Sequence, residues 1–321
     1  MRVCLMVEGQ EGVTWDEWVA LAQACEEAGL DGLFRSDHYL SVQDHPERGS
    51  LDAWATLAGL ARTTGRIKLG TLVSPATFRH PSVLAKTVVT VDHISGGRVE
   101  LGIGAGWHEP EHRAFGFPFE DTSARLEVLE EQIEIVHRSW AEGPFDFDGR
   151  RYRLEHLDAF PKPLQQPHPN LIVGGNAGPR SARLAAHWAD EYNTVFATPE
   201  VCRQRRGAVA TAWDEAGRDP STLVFSLMTG GLIGADEDDL RQRARAAMER
   251  RGQQGSVDGW LDEVRGEWVV GTIDEAVERL RDYEAAGVGR VMLQHQRHDD
   301  VAMVGLLGEL ARRVGGESPG A

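Results

Sequence analysis

Eight short apolar segments, separated by stretches with helical periodicity, constrain this 321-residue chain more than any other feature. Alternating short strands and helices call for a parallel sheet with right-handed crossovers. Eight such units in one chain favour a closed (β/α)8 barrel, or TIM barrel, over an open doubly wound sheet. We expect the strands at residues 2–7, 33–36, 67–73, 99–104, 171–173, 191–195, 223–229 and 290–293.

The chain predicts one α/β domain over residues 1–315, followed by a disordered tail at residues 316–321. The longer segments after the fourth and seventh predicted strands are interpreted as insertions in a complete barrel. Two of the predicted helices start with a capping box, in which a Thr is followed three residues later by a Glu. These pairs are Thr14 with Glu17 and Thr272 with Glu275.

The composition predicts a cytoplasmic protein whose partner is a small molecule. A formal net charge of −16 argues against binding to nucleic acid or to an anionic membrane surface. Three isolated cysteines, Cys4, Cys25 and Cys202, fit a reducing compartment and have no metal-ligand spacing. No secretory signal is evident, and no apolar run reaches the roughly 18 residues of a membrane span.

A hydroxyl, a carboxylate and an imidazole stand together where the second predicted strand ends, at Ser36, Asp37 and His38. In parallel α/β folds the chemistry lies at the carboxyl ends of the strands. Ser and Asp are also ordinary turn residues, so these letters by themselves indicate a turn as readily as an active site.

Two glycine-rich strand ends predict places for a ligand. After the strand at 99–104, the turn Gly104-Ala105-Gly106 offers amide groups to an anion, and bare glycines would let a flat ligand approach the backbone. After the strand at 171–173, residues 174–176 lead to a helix that starts at Pro179. Arg180 and Ser181 would present free amide groups and charge to a phosphate there. Tight strand–turn packing and a plain turn with Pro at the first helical position explain the same patterns.

No metal centre is expected. His108 and His112 lack the intervening Glu of a zinc-protease helix, and we expect Pro110 to prevent a regular helix between them. The chain has neither a Gly-x-Ser-x-Gly elbow nor a phosphate-binding P-loop, so no motif supports a hydrolase or a nucleotide triphosphatase.

Taken together, the motifs resemble the bacterial luciferase-like superfamily, most closely its branch of oxidoreductases that depend on coenzyme F420, a deazaflavin. The resemblance covers almost the whole chain. Its motifs are Ser-Asp-His at 36–38, Ser-Gly-Gly-Arg at 95–98, Leu-Gly-Ile-Gly-Ala-Gly-Trp at 101–107, Ile-Val-Gly-Gly-Asn at 172–176 and Val-Gly-Thr-Ile-Asp-Glu at 270–275.

The resemblance implies a flavin or deazaflavin bound across the carboxyl-terminal mouth of the barrel, and a homodimer. His38 would be the proton donor or acceptor, with Asp37 beside it. A bulge around residues 71–74, which often contains a non-proline cis peptide, would support the ring. The positions implied to hold the cofactor are Ser36, Thr71, Leu72, Ser74, Gly104, Ala105, Gly106, Trp107, Gly174, Gly175, Asn176, Arg180 and Ser181.

One departure from the family pattern bears on the cofactor. The flavin-using luciferases have an arginine that contacts the cofactor phosphate where this chain has Ala105. Loss of a charge-assisted contact argues against flavin mononucleotide (FMN) as the cofactor and favours hydride transfer with F420. Two alternatives stay open: an FMN-dependent monooxygenase that uses oxygen and a separate flavin reductase, and a barrel that binds the cofactor without catalysis.

Overall fold

The computed structural model describes residues 1–43 and 45–315, so the predicted tail at 316–321 lies outside the described residues. Its strands are β1 (Arg2–Val7), β2 (Gly32–Arg35), β3 (Lys68–Thr71), β4 (Ser74–Pro75), β5 (Val99–Gly104), β6 (Phe145–Asp148), β7 (Arg153–Leu157), β8 (Asn170–Gly174), β9 (Glu191–Val195), β10 (Val224–Gly234), β11 (Val269–Thr272) and β12 (Arg290–His295). Its α-helices are α1 (Trp15–Ala28), α2 (Ala53–Thr63), α3 (Pro81–Ser95), α4 (Glu109–Phe115), α5 (Thr122–Trp140), α6 (Pro179–Trp188), α7 (Pro199–Glu215), α8 (Glu237–Arg250), α9 (Val257–Val264), α10 (Ile273–Ala285) and α11 (Val301–Val314).

Eight of the strands form a closed parallel barrel, which confirms the predicted fold. Hydrogen-bonded neighbours run in the order β12, β1, β2, β3, β5, β8, β9 and β10, and β10 pairs with β12 to close the ring. The helices pack outside the barrel. The extra elements lie after β5, where α4, α5 and the hairpin of β6 and β7 precede β8, and after β10, where α9 and β11 are added.

Local sequence signals set many of the helix ends. The Glu17 side chain accepts from the backbone N–H of Thr14 at 2.8 Å, and Glu275 accepts from that of Thr272 at 2.8 Å, so both predicted capping boxes are present. Gly29 ends α1 in the left-handed conformation. No helix in residues 1–43 and 45–315 is both long and apolar enough to cross a membrane.

The barrel interior is layered along its axis. At the amino-terminal end the buried Arg290 pairs with Glu100 at 2.7 Å and with Glu191 at 3.1 Å. The Arg290 guanidinium also lies 4.7 Å from the centre of the Phe34 ring. Above this charged layer lies an apolar layer, which consists of Cys4, Met6, Phe34, Leu72, Ile172, Met228 and Met292. The barrel is therefore filled below, and only its carboxyl-terminal mouth can receive a ligand.

The third predicted strand, residues 67–73, is interrupted. It divides into β3 and β4, and the peptide bond between Leu72 and Val73 is cis, as the family resemblance implied. The prediction of one continuous strand was wrong because this segment bulges into the barrel. A Cβ atom on Gly102 would lie 2.2 Å from the Thr71 carbonyl oxygen, and one on Gly104 would lie 2.8 Å from Val73. The bulge can pack against β5 because these glycines have no side chain. A flat ligand at the mouth would therefore contact Val73 and not the backbone of β5.

Replacing Gly102 with alanine should lower the free energy of unfolding by about 1–3 kcal/mol, because the new methyl group would overlap a backbone oxygen that cannot rotate away. Urea unfolding measures this change. Gly305→Ala on α11 is the matched control, since no atom lies within 4 Å of the Cβ position there. Equal stability of the two variants would contradict the close packing of the bulge against β5.

Candidate active site

His38 lies at the carboxyl-terminal mouth, three residues past the end of β2, and is held by the carboxylate of Glu111. Its Nδ1 is 2.7 Å from Glu111 Oε2, with 11% of the His38 side chain and none of the Glu111 side chain exposed. The other carboxylate oxygen accepts from the backbone N–H groups of Tyr39 and Leu40. Because a carboxylate can only accept, Nδ1 carries a proton, and Nε2 is left to exchange one.

The pair of charges shifts both pKa values. Burial lowers the pKa of His38, but the hydrogen bond and negative charge of Glu111 outweigh burial, and the pKa is raised above its usual value. Burial raises the pKa of Glu111, and its bonds to His38, Tyr39 and Leu40 reverse that effect and lower it. His38 therefore stays protonated to higher pH than a free histidine, with Glu111 ionised beside it.

The sequence interpretation missed Glu111 because it assigned no helix to this segment. The expectation that Pro110 prevents a regular helix was wrong: Glu109–Phe115 is helical, and Pro110 stands in the first turn. Proline is tolerated there because the first N–H groups of a helix have no partner within it. Acidic residues on either side of a proline are a helix-start signal, so the spacing Glu109-Pro110-Glu111 could have revealed α4.

Aromatic packing fixes α4 against the strand end that carries His38. The Tyr39 ring stacks on Phe78 at 5.4 Å and on Phe115 at 5.0 Å between ring centres. Phe78 also stacks on Phe117 at 4.7 Å. Since Phe115 ends α4 and Tyr39 follows His38, this cluster holds the helix of Glu111 in register with His38.

Asp37 and Ser36 orient the strand end through their own contacts. Asp37 accepts from Arg79 through both carboxylate oxygens and from Ser74 Oγ at 2.6 Å. Ser36 Oγ accepts from the N–H of Gly9 at 3.0 Å and donates to Gln10 at 2.5 Å. Both side chains are buried and fully engaged, so the structure gives them positions that support His38.

The predicted positions on β3 and β5 surround the bulge. The Thr71 hydroxyl donates its hydrogen to the Gly102 carbonyl at 2.9 Å, and the side chain is fully buried, so a ligand cannot reach it. Leu72 is buried, and Gly106 adopts a left-handed φ of 79°, which makes the sharp turn after β5. That turn carries Trp107 to the mouth, where 64% of it is exposed and its ring centre lies 5.7 Å from that of His38.

The helix predicted to start at Pro179 after β8 is present, and its surroundings differ in one respect from the predicted anion site. The N-cap residue of α6, Gly178, provides no side-chain cap, and Asn176 is exposed beside it. Ser181 Oγ donates to the Gly178 carbonyl at 3.0 Å and lies 3.0 Å from the Tyr192 hydroxyl. Arg180 instead faces Glu130, with contacts of 2.6 and 2.7 Å. The positive charge of Arg180 is therefore already paired with the carboxylate of Glu130.

These surfaces fit a flat cofactor with an anionic tail. Val73 is only partly buried on top of the apolar barrel layer, and it forms a platform between the strand ends. The uncapped start of α6 offers backbone donors and a positive helix end. A Cβ on Gly175 would lie 2.8 Å from the Tyr192 hydroxyl, so glycine keeps this turn compact. No group of three or more potential ligands for a metal occurs among residues 1–43 and 45–315.

Comparison with known proteins identifies the family. The family model described as luciferase-like monooxygenase matches residues 3–290. The chain therefore belongs to the luciferase-like monooxygenase family and is an enzyme of that class.

Individual relatives differ in the activity that their names state. The chain is 30% identical to an F420-dependent hydroxymycolic acid dehydrogenase of Mycobacterium tuberculosis, over 92% of this chain and 83% of that protein. It is 29% identical to the pyrimidine monooxygenase RutA of Yersinia enterocolitica, over 74% of this chain and 64% of that protein. The crystal structure of monooxygenase RslO1 from Streptomyces bottropensis superposes with a TM-score of 0.81 at 26% identity, covering 96% of this chain and 98% of that chain.

Proposed function

We propose that this enzyme transfers a hydride between coenzyme F420 and a small organic substrate, with His38 moving the accompanying proton. The observation that carries the proposal is the buried ion pair of His38 and Glu111 at the barrel mouth. A hydride transfer to a carbonyl, or from an alcohol, needs one proton donor or acceptor beside the reacting carbon. A histidine with one nitrogen held by a carboxylate provides one that is oriented.

The protein residues act on the proton. Glu111 fixes the His38 ring and keeps its Nδ1 protonated, so Nε2 gives up a proton in the reducing direction or accepts one in the oxidising direction. Asp37, held by Arg79 and Ser74, fixes the backbone that carries His38. When bound, a deazaflavin supplies the two-electron hydride chemistry.

Particular residues would hold the cofactor. Val73 would support the ring, and the turn Ala105–Trp107 would flank it. Gly175, Asn176 and Ser181 would receive its phosphate at the start of α6. The choice of F420 over FMN is supported by Ala105, which carries no charge for a flavin phosphate. It is also supported by the M. tuberculosis relative, whose name states dependence on F420.

Titration of the apoprotein with each cofactor tests the choice. F420 should bind at least about tenfold more tightly than FMN, a difference of about 1.4 kcal/mol. Ala105→Arg should strengthen FMN binding by about tenfold, because a charge-assisted contact to its phosphate is added. Ala159→Arg, far along the chain after β7, is the control and should leave both affinities unchanged. Tighter binding of FMN to the unaltered protein would reject the F420 proposal.

The second candidate is an FMN-dependent monooxygenase that receives reduced flavin from a separate reductase. It is favoured by the monooxygenases RutA and RslO1 among the similar proteins. Oxygen consumption distinguishes the candidates. The alternative requires substrate-dependent oxygen uptake with a flavin reductase present, whereas the F420 reaction proceeds at the same rate under nitrogen.

A further inference from the structure

The indole of Trp107 is left open to solvent beside His38. At 64%, Trp107 is the most exposed large hydrophobic residue among residues 1–43 and 45–315. Its ring centre lies 5.7 Å from that of His38, with 76° between the ring planes. Rings at this angle meet edge to face, so the imidazole covers at most one face of the indole. Tryptophan is on average strongly buried, so an open indole next to the residue that exchanges the proton is a candidate contact for a ligand.

The turn that carries Trp107 is fixed on both sides. Arg125 Nε donates to the Gly106 carbonyl at 3.2 Å, and His112 Nδ1 donates to the His108 carbonyl at 2.8 Å. The His108 ring also contacts the indole, with 5.1 Å between the ring centres. The indole is therefore exposed on a backbone that is ordered before a ligand arrives, so little conformational entropy remains to be lost on binding.

The cations near the turn are already engaged. His38 pairs with Glu111 at 2.7 Å, and Arg113 pairs with Glu109 at 2.6 Å. Arg125 donates to backbone carbonyl groups of the turn and of the loop before α5. None of these three cations is left to pair with a carboxylate or a phosphate, and the overall charge of −16 also disfavours an anion. The ligand that suits the indole is therefore an uncharged ring.

We propose that Trp107 determines substrate specificity by stacking on the ring of a neutral aryl alcohol or aryl carbonyl compound. Stacking holds that ring beside His38, which exchanges the proton of the hydroxyl or carbonyl oxygen. An aromatic ring is preferred to an aliphatic ring of similar size, because offset stacking adds to the apolar contact. The inference rests on the proposed function, because hydride transfer requires a hydroxyl or carbonyl group at the reacting end.

Binding of benzyl alcohol and of cyclohexylmethanol tests the role of Trp107, because the two alcohols differ in the aromaticity of the ring. Saturation-transfer NMR should give a dissociation constant about fivefold lower for benzyl alcohol, both in the cofactor-free protein and with F420 bound. Trp107→Leu should abolish this preference, and Trp107→Phe should retain part of it. Phe160→Leu removes a ring that is 62% exposed in the segment after β7, and this matched control should change neither constant.

Turnover provides a second measurement. In Trp107→Leu the KM for benzyl alcohol should rise about fivefold while kcat changes by less than about twofold, because the lost contact is made equally in the ground state and the transition state. Phe160→Leu should keep both values of the unaltered enzyme.

Three outcomes would overturn the role of Trp107 or separate it from the cofactor. Equal affinity of the unaltered protein for the two alcohols, or an unchanged preference in Trp107→Leu, would reject the aromatic subsite. Weaker F420 binding by Trp107→Leu with unchanged alcohol binding would mean that the indole stacks on the cofactor. A preference for benzyl alcohol that is lost in Trp107→Leu, in a protein that binds no F420, would uphold the subsite and reject the proposed cofactor.

Discussion

Replacing His38 with alanine should lower kcat by about 10³-fold, the largest effect expected of any single change at the mouth. The substitution removes the group that exchanges the proton but leaves Val73 and the start of α6, where the cofactor would bind. The dissociation constant for F420 should therefore change by no more than about twofold. Stopped-flow absorbance of the cofactor measures turnover, and its fluorescence measures binding.

A positional control and chemical rescue make the His38→Ala result specific. His93→Ala, on the exposed face of α3, should retain full activity. Added imidazole should restore part of the turnover of His38→Ala, because a small base can enter the space that the side chain leaves. A variant whose cofactor binding falls as far as its turnover, with no rescue, would show that His38 holds the cofactor and does not move the proton.

The barrel and the position of His38 at its mouth could be predicted because their signals are local. Apolar runs and capping boxes each depend on a few consecutive residues, and strand ends of a parallel barrel meet at one mouth whatever the details of packing. The bulge at Leu72 and Val73 could not be read in this way. The bulge depends on the space beside Gly102 and Gly104, which are some 30 residues away in sequence. The residue pattern of 67–73 by itself suits an ordinary strand equally well.

The sequence also could not predict which charged side chains pair with each other in the folded protein. The sequence indicated that Arg180 could serve a phosphate, but its Nε and Nη2 donate to Glu130, 50 residues earlier, and its Nη1 donates to Ser123. Glu111 and His38 are 73 residues apart, and only the folding of α4 brings them within 2.7 Å. Side-chain pairs between distant elements are set by tertiary packing, so residue types at strand ends can indicate a candidate site but not how its charges pair.

Replacing Glu111 with glutamine should lower turnover in the reducing direction by about 10²-fold at neutral pH. The amide oxygen can still accept from the N–H groups of Tyr39 and Leu40, which keeps the loop in place. The negative charge that raises the pKa of His38 is lost, so that pKa should fall. Reduction needs protonated His38, and its rate declines as pH rises through this pKa. The alkaline limb of kcat/KM should therefore move to lower pH.

The pH profile distinguishes an electrostatic role of Glu111, in which its charge raises the pKa of His38, from a purely structural role. Glu109→Gln alters a neighbouring glutamate on α4 that pairs with Arg113 at the surface, and it should leave both the rate and the limb unchanged. In the oxidising direction neutral His38 is the active form, so the acidic limb should also move to lower pH in Glu111→Gln. A loss of rate with both limbs unmoved would mean that Glu111 only holds the Tyr39 loop. Movement of both limbs in the same direction is expected only if Glu111 sets the proton affinity of His38.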